Sequence, residues 1–301
     1  IRAKAPQAKV NFASGADVAE AAHLAAQADV ALVFVNQWTS EGMDLANLSL
    51  PSGQDALVKA VAAANKHTVV VLQTGTAVTM PWIDQVSGVL EAWYPGSKGA
   101  DAVANVLFGE VNPSAKLPMT FPLSEADLPH PVRVTPPPHA QGAAGVMRSG
   151  TAKPTFSMNY DEGLKVGYKW YDAEKKPVLF PFGFGLSYTT YRYSRLKVED
   201  GASPTVTFTV TNTGTREGQE IAQVYAALPE GAQEPPKRLV GWSKISLKPG
   251  ESRQVQVSID RRYLSVYDEA TDSWKLVPGN YQMMVGGSSQ SLPLKQAIAL
   301  K

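Results

Sequence analysis

The sequence contains no cysteine and carries few charges of either sign. With no cysteine among 301 residues, disulfides, thiol nucleophiles and cysteine-ligated metals are excluded. Lys and Arg number 28 and Asp and Glu number 27, which gives a formal net charge of +1. No excess of one sign therefore indicates a nucleic acid or an anionic membrane as a partner. The four histidines are scattered without the spacing of metal ligands, and we predict neither a metal nor a cofactor.

Other familiar signals are also missing. No stretch reaches the roughly 18 continuous apolar residues of a membrane span, and we predict none. There is no Gly-x-Ser-x-Gly elbow, phosphate loop or complete Gly-x-Gly-x-x-Gly motif. The chain opens on Ile1-Arg-Ala-Lys-Ala-Pro6, which has neither an initiator Met nor a signal-peptide pattern. This opening is typical of the middle of a longer protein, and we expect the chain to be a fragment or a processed subunit.

The first part of the chain alternates helices with buried strands. Apolar residues make up 44% of the chain, and its length suits about two domains. Strands alternating with helices predict a doubly wound, mostly parallel α/β sandwich. An edge strand at 9–13 would open it, and the unit looks incomplete at its front end. The predicted helices cover 16–28, 53–64 and 97–108, with a short one at 81–86, and the predicted buried strands cover 30–36, 68–73 and 88–93.

The composition changes after about residue 109. Pro-rich segments at 112–122, 128–131 and 134–139 indicate extended or polyproline chain, and the Gly- and Ala-rich stretch 141–153 indicates a mobile loop. Short alternating segments then predict an immunoglobulin-like β-sandwich, with strands at 205–211, 220–226, 237–242, 243–247, 253–259 and 279–285. We predict three regions: the α/β domain at 1–125, a Pro-, Gly- and aromatic-rich linker at 126–190, and the β-sandwich at 191–301.

The loop at 36–51, between the first buried strand and the next helix, carries the candidate chemistry. Loops at the carboxyl ends of strands form the ligand crevice of open α/β sheets. Glu41 precedes a glycine that lets the backbone turn sharply beneath the carboxylate, and we predict that Glu41 is a catalytic proton donor. The alternatives are a solvated loop carboxylate or a cap of the next helix. Trp38 offers a flat apolar surface for a sugar ring at an aglycone site, or else it packs at a domain interface.

A series of motifs resembles the C-terminal half of glycoside hydrolase family 3, the β-glucosidase and β-xylosidase type. They span nearly the whole chain in the family's order. The last four resemble the family's fibronectin type III-like domain. The motifs are Ser40-Glu-Gly-Met-Asp44, Leu48-Ser-Leu-Pro51, Trp93-Tyr-Pro-Gly96, Leu107-Phe-Gly-Glu-Val-Asn-Pro-Ser114, Lys116-Leu-Pro-Met-Thr-Phe-Pro122, Tyr160-Asp-Glu-Gly163, Val166-Gly-Tyr-Lys169, Phe180-Pro-Phe-Gly-Phe-Gly-Leu-Ser-Tyr188, Thr211-Asn-Thr-Gly214, Gln223-Val-Tyr225, Leu247-Lys-Pro-Gly-Glu251 and Val285-Gly-Gly-Ser-Ser289.

The resemblance implies a retaining, exo-acting β-glycosidase, most simply a β-glucosidase, whose active site is shared between polypeptide regions. An N-terminal (β/α)8 barrel carries the aspartate nucleophile, and the α/β domain supplies the acid/base, which by motif position is Glu41. Retention needs two carboxylates roughly 5–5.5 Å apart. The implied partners are the barrel polypeptide and a β-linked gluco-oligosaccharide or an aryl or alkyl β-glycoside. Family habit also implies a periplasmic or secreted protein.

The sequence departs from the family pattern at two positions. Leu45 stands where the family motif commonly has Arg, and Ala115 stands where Gly usually precedes Lys-Leu-Pro. The nucleophile is absent from these residues, so we expect the chain alone to be an inactive part of a glycoside hydrolase. The competing interpretation is a non-catalytic carbohydrate-binding or structural module. Such a module would bind sugar by itself and lose nothing on Glu41→Gln.

Overall fold

A computed structural model of the chain describes residues 1–41, 45–131 and 159–301. The chain divides into two compact units, Ile1–Phe108 with Pro122–Asp161, and Gly109–Phe121 with Glu162–Lys301. The polyproline segment predicted at 134–139, the loop predicted at 141–153 and His139 lie outside the described residues. The three-region division at 125 and 190 stays a prediction.

The first unit is built on a three-stranded parallel sheet in the order β1-β2-β3. Its core comes from the apolar strand runs, with Val35, Val70 and Leu72 fully buried, as expected for strands covered by helices. The predicted α/β unit with a parallel sheet is confirmed. Its elements are α1 Val18–Ala26, β1 Ala31–Asn36, α2 Gln54–Ala64, β2 Thr68–Gln73, β3 Gly88–Glu91 and α3 Gly99–Leu107.

Local chemistry sets the limits of α1. The Asp17 side chain accepts hydrogen bonds from the Ala19 and Glu20 amides at 2.9 and 3.0 Å, which satisfies donors that the first turn leaves unpaired. The side-chain amide of Asn65 donates to the Ala25 and Ala28 carbonyls at 2.9 and 2.7 Å. The C-terminal end of α1 is thereby tied to the residue that follows α2.

Three predictions at the edges of this unit need correction. Residues 9–13 have no regular secondary structure; Phe12 is 79% exposed, and a strand needs both a hydrogen-bonding neighbour and a surface to cover. The short helix predicted at 81–86 is a single 3-10 turn, Ile83–Gln85. The helix predicted at 97–108 begins as the 3-10 turn Gly96–Lys98 before it becomes α3.

The second unit contains two larger antiparallel sheets, in the orders β10-β7-β6 and β14-β13-β8-β9, and a hairpin of β11 and β12. Together with the apolar cluster they enclose, these sheets confirm the predicted β-sandwich. The elements are β4 Phe121–Pro122, α4 Tyr168–Ala173, β5 Val178–Phe180, β6 Tyr191–Glu199, β7 Thr205–Asn212, β8 Gly218–Ala227, β9 Arg238–Leu247, β10 Ser252–Ser258, β11 Ser265–Asp268, β12 Ser273–Leu276, β13 Gly279–Gly286 and β14 Leu294–Leu300.

Two segments that were predicted as separate strands of the sandwich form a single strand. Segments 237–242 and 243–247 form the continuous strand β9, whose register with β8 shifts between Val224 and Tyr225. The strand passes close to its neighbours at Gly241, where an added Cβ would lie 2.7 Å from Val257 Cγ1. Gly241 therefore permits close packing inside a continuous strand.

A polar cluster is buried in the same unit. Lys116 Nζ lies 3.2 Å from Glu220 Oε2 and donates to the Gly185 carbonyl at 3.1 Å. Tyr193 Oη donates to Glu220 Oε1 at 2.7 Å. The side chains of Lys116 and Glu220 are only 12% and 6% exposed, so each charge depends on its partners instead of on water. We call Lys116, Tyr193 and Glu220 the buried ion cluster.

Over the three described stretches of the chain, every helix is too short or too polar to cross a membrane.

Candidate functional site

An open recess of about 270 Å³ lies at the carboxyl ends of the parallel strands. Asn36, Gln37 and Trp38 line it from the end of β1, and Gln73 from the end of β2. The turn of Tyr94, Pro95 and Gly96 after β3 completes the lining. This is the edge where parallel α/β sheets bind their ligands, and it is where the sequence predicted the crevice.

One glutamine ties together the two ends of the loop at 36–51. Gln54, the first residue of α2, accepts the Asn36 amide through Oε1 at 2.8 Å. Its Nε2 donates to the carbonyls of Asn36 and Pro51 at 2.7 and 2.9 Å. The loop therefore starts and finishes at one side chain, which narrows the positions that its middle can reach.

A second anchor holds the loop near its far end. The Leu48 amide donates to Glu125 Oε1 at 2.6 Å, and the Leu48 carbonyl accepts the Thr79 amide at 2.8 Å. Leu50 nearby is 4% exposed, so apolar burial adds to these hydrogen bonds. The loop is thus fixed on both sides of the segment that carries Glu41.

A third set of hydrogen bonds lies immediately before Glu41. Tyr94 Oη donates to the Gln37 carbonyl at 2.6 Å and accepts the Thr39 amide at 2.9 Å. Thr39 Oγ1 lies 2.6 Å from the same phenol oxygen, and the threonine is its donor because the phenol proton already goes to Gln37. One hydroxyl therefore closes three hydrogen bonds over residues 37–39. We call Gln37, Thr39 and Tyr94 the edge clamp.

The structure places Trp38, one of the two predicted site residues, at the recess. Trp38 lines the recess and is 70% exposed, and Glu41 is exposed in a turn. Gly42, predicted to turn beneath the carboxylate, lies outside the described residues. The alternative in which Glu41 caps the next helix is wrong, because the N-cap of α2 is Gly53, with no side-chain cap.

Gln37 adds a polar group that the fold leaves unused. Its side chain is 2% exposed, and its Oε1 has no hydrogen-bond partner among the described residues. A buried acceptor without a donor is costly for a fold. Gln37 also lines the recess, so this oxygen is a candidate acceptor for a ligand hydroxyl.

Sequence reasoning missed another glutamate at this edge, Glu91, the last residue of β3. Burial raises the pKa of its carboxyl from 4.5 to about 7, although hydrogen bonds oppose the shift. These hydrogen bonds come from the Trp93 amide at 2.8 Å, from Thr74 Oγ1 at 3.2 Å and from the Thr74 backbone. The only sequence signal was its place at the end of a strand, beside Trp-Tyr-Pro-Gly. The carboxyl is thus partly buried at this edge of the sheet.

Two of the histidines, His23 and His67, make contacts within the first unit. His23 Nε2 lies 2.8 Å from Gln27 Nε2 within one helix turn, and His67 Nδ1 lies 3.0 Å from the Asp29 carbonyl. In the part of the chain that the structure describes, no three His, Asp or Glu side chains are grouped to hold a metal.

Comparison with known families agrees with the geometry. The profile of the glycosyl hydrolase family 3 C-terminal domain matches residues 1–188. The chain belongs to glycosyl hydrolase family 3. A fibronectin type III-like domain matches residues 220–289. The family resemblance and the class of the second domain are both confirmed.

Relatives of this family 3 chain are β-glucosidases. It is 39% identical over 298 residues to β-glucosidase B of Emericella nidulans, covering 94% of this chain and 34% of that protein. Among solved structures, it is similar to DesR, a β-glucosidase from Streptomyces venezuelae in complex with D-glucose, with 41% identity and a TM-score of 0.83. That match covers 94% of this chain and 35% of DesR. The β-glucosidase of Bifidobacterium adolescentis gives 36% identity and a TM-score of 0.82, over 97% of this chain and 42% of that one.

The chain therefore spans about a third of the length of the curated relatives it matches. What it matches is their C-terminal portion.

Proposed function

We propose that this chain supplies the general acid/base, Glu41, to a retaining, exo-acting β-glucosidase. Its N-terminal (β/α)8 barrel would contribute the aspartate nucleophile and most of the sugar-binding groups. The substrate is a β-linked gluco-oligosaccharide or an aryl or alkyl β-glucoside. The observation that carries the proposal is the loop after β1, which is anchored on both sides of an exposed glutamate three residues beyond the recess-lining Trp38.

The chemistry divides between two carboxyl groups. The barrel aspartate attacks the anomeric carbon while protonated Glu41 gives its proton to the departing glycosidic oxygen, so the C–O bond breaks as an alcohol leaves. Ionised Glu41 then removes a proton from water, whose oxygen displaces the aspartate and releases glucose. Glu41 is protonated again and the aspartate is free, so the cycle is balanced.

The surroundings of Glu41 support this role. Its loop is held at Gln54, at Leu48 and at the edge clamp, which fits a group that must meet a substrate oxygen at hydrogen-bond distance. Trp38 presents an exposed indole three residues earlier, suited to one face of an aglycone sugar or aryl ring. Gln37 Oε1 offers an acceptor for a sugar hydroxyl.

The test uses the chain together with its barrel polypeptide and two glucosides. A dinitrophenyl leaving group departs as a stable anion, whereas cellobiose needs its leaving oxygen protonated. Glu41→Gln should lower kcat/KM on cellobiose by roughly 10²–10⁴-fold and change it far less on dinitrophenyl glucoside. With Glu41→Ala, azide should raise turnover of the dinitrophenyl substrate and yield β-glucosyl azide, because azide attacks the glycosyl-enzyme without a general base.

The matched control is Glu269→Gln, another exposed glutamate in a turn, which should keep wild-type kinetics. Equal losses on both glucosides, or no azide product, would contradict the acid/base role. Sugar binding by the chain alone, unaffected by Glu41→Gln, would instead favour the non-catalytic module.

Two further expectations belong to the same proposal. The chain without the barrel should turn over neither glucoside, and turnover by the purified chain alone would contradict the shared active site. We also propose a periplasmic or secreted location, which the absence of cysteine fits and which cell fractionation tests.

A further inference from the structure

We propose that Tyr94 is a positioning residue for the acid/base: its hydroxyl sets where the loop after β1 presents Glu41. This inference rests on the proposed function of Glu41. Tyr94 belongs to the turn after β3, more than fifty residues away in the sequence, and it would never touch the bond that breaks.

The geometry concentrates the control of the loop in one oxygen. The phenol oxygen receives the Thr39 amide and hydroxyl and donates to the Gln37 carbonyl, all within 2.9 Å. These are two backbone groups and one side chain of residues two and four positions before Glu41. Because the Gln37 carbonyl and the Thr39 amide bond to the same oxygen atom, the backbone at Trp38 cannot turn far without breaking one of these hydrogen bonds. Tyr94 therefore fixes the backbone position from which Ser40 and Glu41 continue.

The edge clamp leaves no room for a side chain at the neighbouring Gly75. An added Cβ at Gly75, in the turn after β2, would lie 2.3 Å from Thr39 Oγ1 and 2.8 Å from Tyr94 Oη. Such distances force atoms apart. Gly75 lacks a side chain where the clamp oxygen atoms meet, so the loop after β2 also depends on this arrangement.

The turn that carries Tyr94 is itself held in an uncommon conformation. Trp93 has φ +51°, a left-handed backbone that costs about 1 kcal/mol or more for a residue with a side chain. Its amide donates to Glu91 Oε1 at 2.8 Å, and Thr74 holds the other carboxyl oxygen. The strained turn is thus fixed from β3, and Tyr94 has a rigid base. Strain of this kind persists where surrounding contacts enforce it.

Loss of the Tyr94 hydroxyl should slow the reaction to an extent that depends on the leaving group of the substrate. If Tyr94 orients the proton donor, its loss should matter only where the departing oxygen needs a proton. A displaced acid loses rate because proton transfer demands hydrogen-bond distance in the transition state. A purely structural tyrosine would lower kcat/KM for all substrates alike, or change only the folded fraction.

Tyr94→Phe in the chain joined with its barrel polypeptide is the test. We expect kcat/KM on cellobiose to fall about tenfold and that on dinitrophenyl glucoside to change less than about twofold. The measured quantity is the ratio of the two values, which is independent of the folded fraction. Gly75→Ala should shift this ratio in the same direction while keeping the phenol, so it serves if the Phe variant folds poorly.

Each variant has a matched control. Tyr281→Phe removes a hydroxyl bonded to the Leu264 and Val277 carbonyls inside the sandwich, and should leave the ratio unchanged. Gly88→Ala adds a methyl group to open space at the start of β3, and should also leave it unchanged.

The outcomes separate this inference from the proposed function. If Glu41→Gln shows the leaving-group dependence and Tyr94→Phe and Gly75→Ala match wild type, or lose equally on both substrates, the positioning role is overturned. If Glu41→Gln itself shows no such dependence, the acid/base assignment fails first. A ratio shifted by both clamp variants, and by neither control, supports the inference.

Discussion

The buried ion cluster and Glu91 show two ways of holding a carboxylate. In the sandwich, Glu220 has a lysine at 3.2 Å and a tyrosine hydroxyl at 2.7 Å, so its charge is matched by a cation. At the edge of the parallel sheet, Glu91 is held by an amide and a threonine hydroxyl. Both groups are neutral, and the pKa of Glu91 rises to about 7 because burial removes water without supplying an opposite charge.

Polar groups that pair with each other inside the fold differ from polar groups that remain free to bind a ligand. The buried ion cluster is satisfied within the unit, and it joins the Lys116 segment to the sheet of β8. The edge retains an unused acceptor at Gln37, an exposed indole at Trp38 and an exposed carboxylate at Glu41. Groups that the fold leaves over at this edge are the reason for proposing the chemistry here.

The largest effect should come from breaking the buried ion cluster. Lys116→Met leaves Glu220 charged and buried without its cation, and we expect it to cost roughly 3–5 kcal/mol of the free energy of unfolding. Urea unfolding followed by tryptophan fluorescence measures the change. Adding Glu220→Gln to Lys116→Met should restore a large part of that loss.

The exposed pair Lys197 and Glu199, 2.8 Å apart, provides the control. Lys197→Met should cost less than about 1 kcal/mol, since exposed ion pairs contribute little. A cost for Lys116→Met no larger than for Lys197→Met would remove the contrast between the two ways of holding a carboxylate.

A smaller, pH-dependent effect is expected at Glu91. Its pKa is raised in the folded state, so the folded chain retains a proton that the unfolded chain releases above about pH 4.5. The contribution to stability is full below that pH and is lost as the pH rises through about 7. Glu91→Gln keeps an acceptor for the Trp93 amide and cannot ionise, so the free energy of unfolding should fall less between pH 5 and 8 than in wild type.

Thermal unfolding across that pH range measures the difference. Glu20→Gln, at an exposed glutamate on α1, should keep the wild-type dependence on pH. If the Glu91→Gln and wild-type curves stay parallel, the carboxylate is not desolvated and the comparison with Glu220 fails.

The smallest effect on stability is expected at Trp38. Because this side chain is exposed at the recess, its replacement should change substrate binding and not folding. Trp38→Ala should change the free energy of unfolding by no more than about 0.5 kcal/mol, because the indole is 70% exposed. In the presence of the barrel polypeptide, it should raise KM for cellobiose and leave inhibition by glucose unchanged. Trp242→Ala, at a 65% exposed indole on β9, should change neither quantity. Unchanged kinetics in Trp38→Ala would favour the alternative of simple packing.

The local sequence was sufficient to predict a strand where a single side-chain pattern runs through the whole segment. The run Thr68-Val-Val-Val-Leu-Gln73 predicted β2 with its observed bounds, because β-branched residues flanked by polar ones suit a buried strand. It was insufficient for β6, Tyr191–Glu199. There the pairing register shifts between Ser194 and Lys197, and Arg195 has φ +57°. A bulge changes the side-chain period in mid-strand, so the alternation on which a strand prediction depends is lost.

The sequence by itself determined the alternation of helices and strands in the first unit, the crevice at the carboxyl edge of its sheet and the motifs of the family. These depend on residues near one another along the chain, through periodicity, turn chemistry and spacing. Only the tertiary structure decided what holds the Glu41 loop: Gln54 at its ends, Glu125 at Leu48 and Tyr94 at Thr39. It also decided that Glu91 is partly buried. Contacts between residues 18 to 77 positions apart, and the loss of water around a carboxyl, arise only when the strands have assembled, and no local pattern carries them.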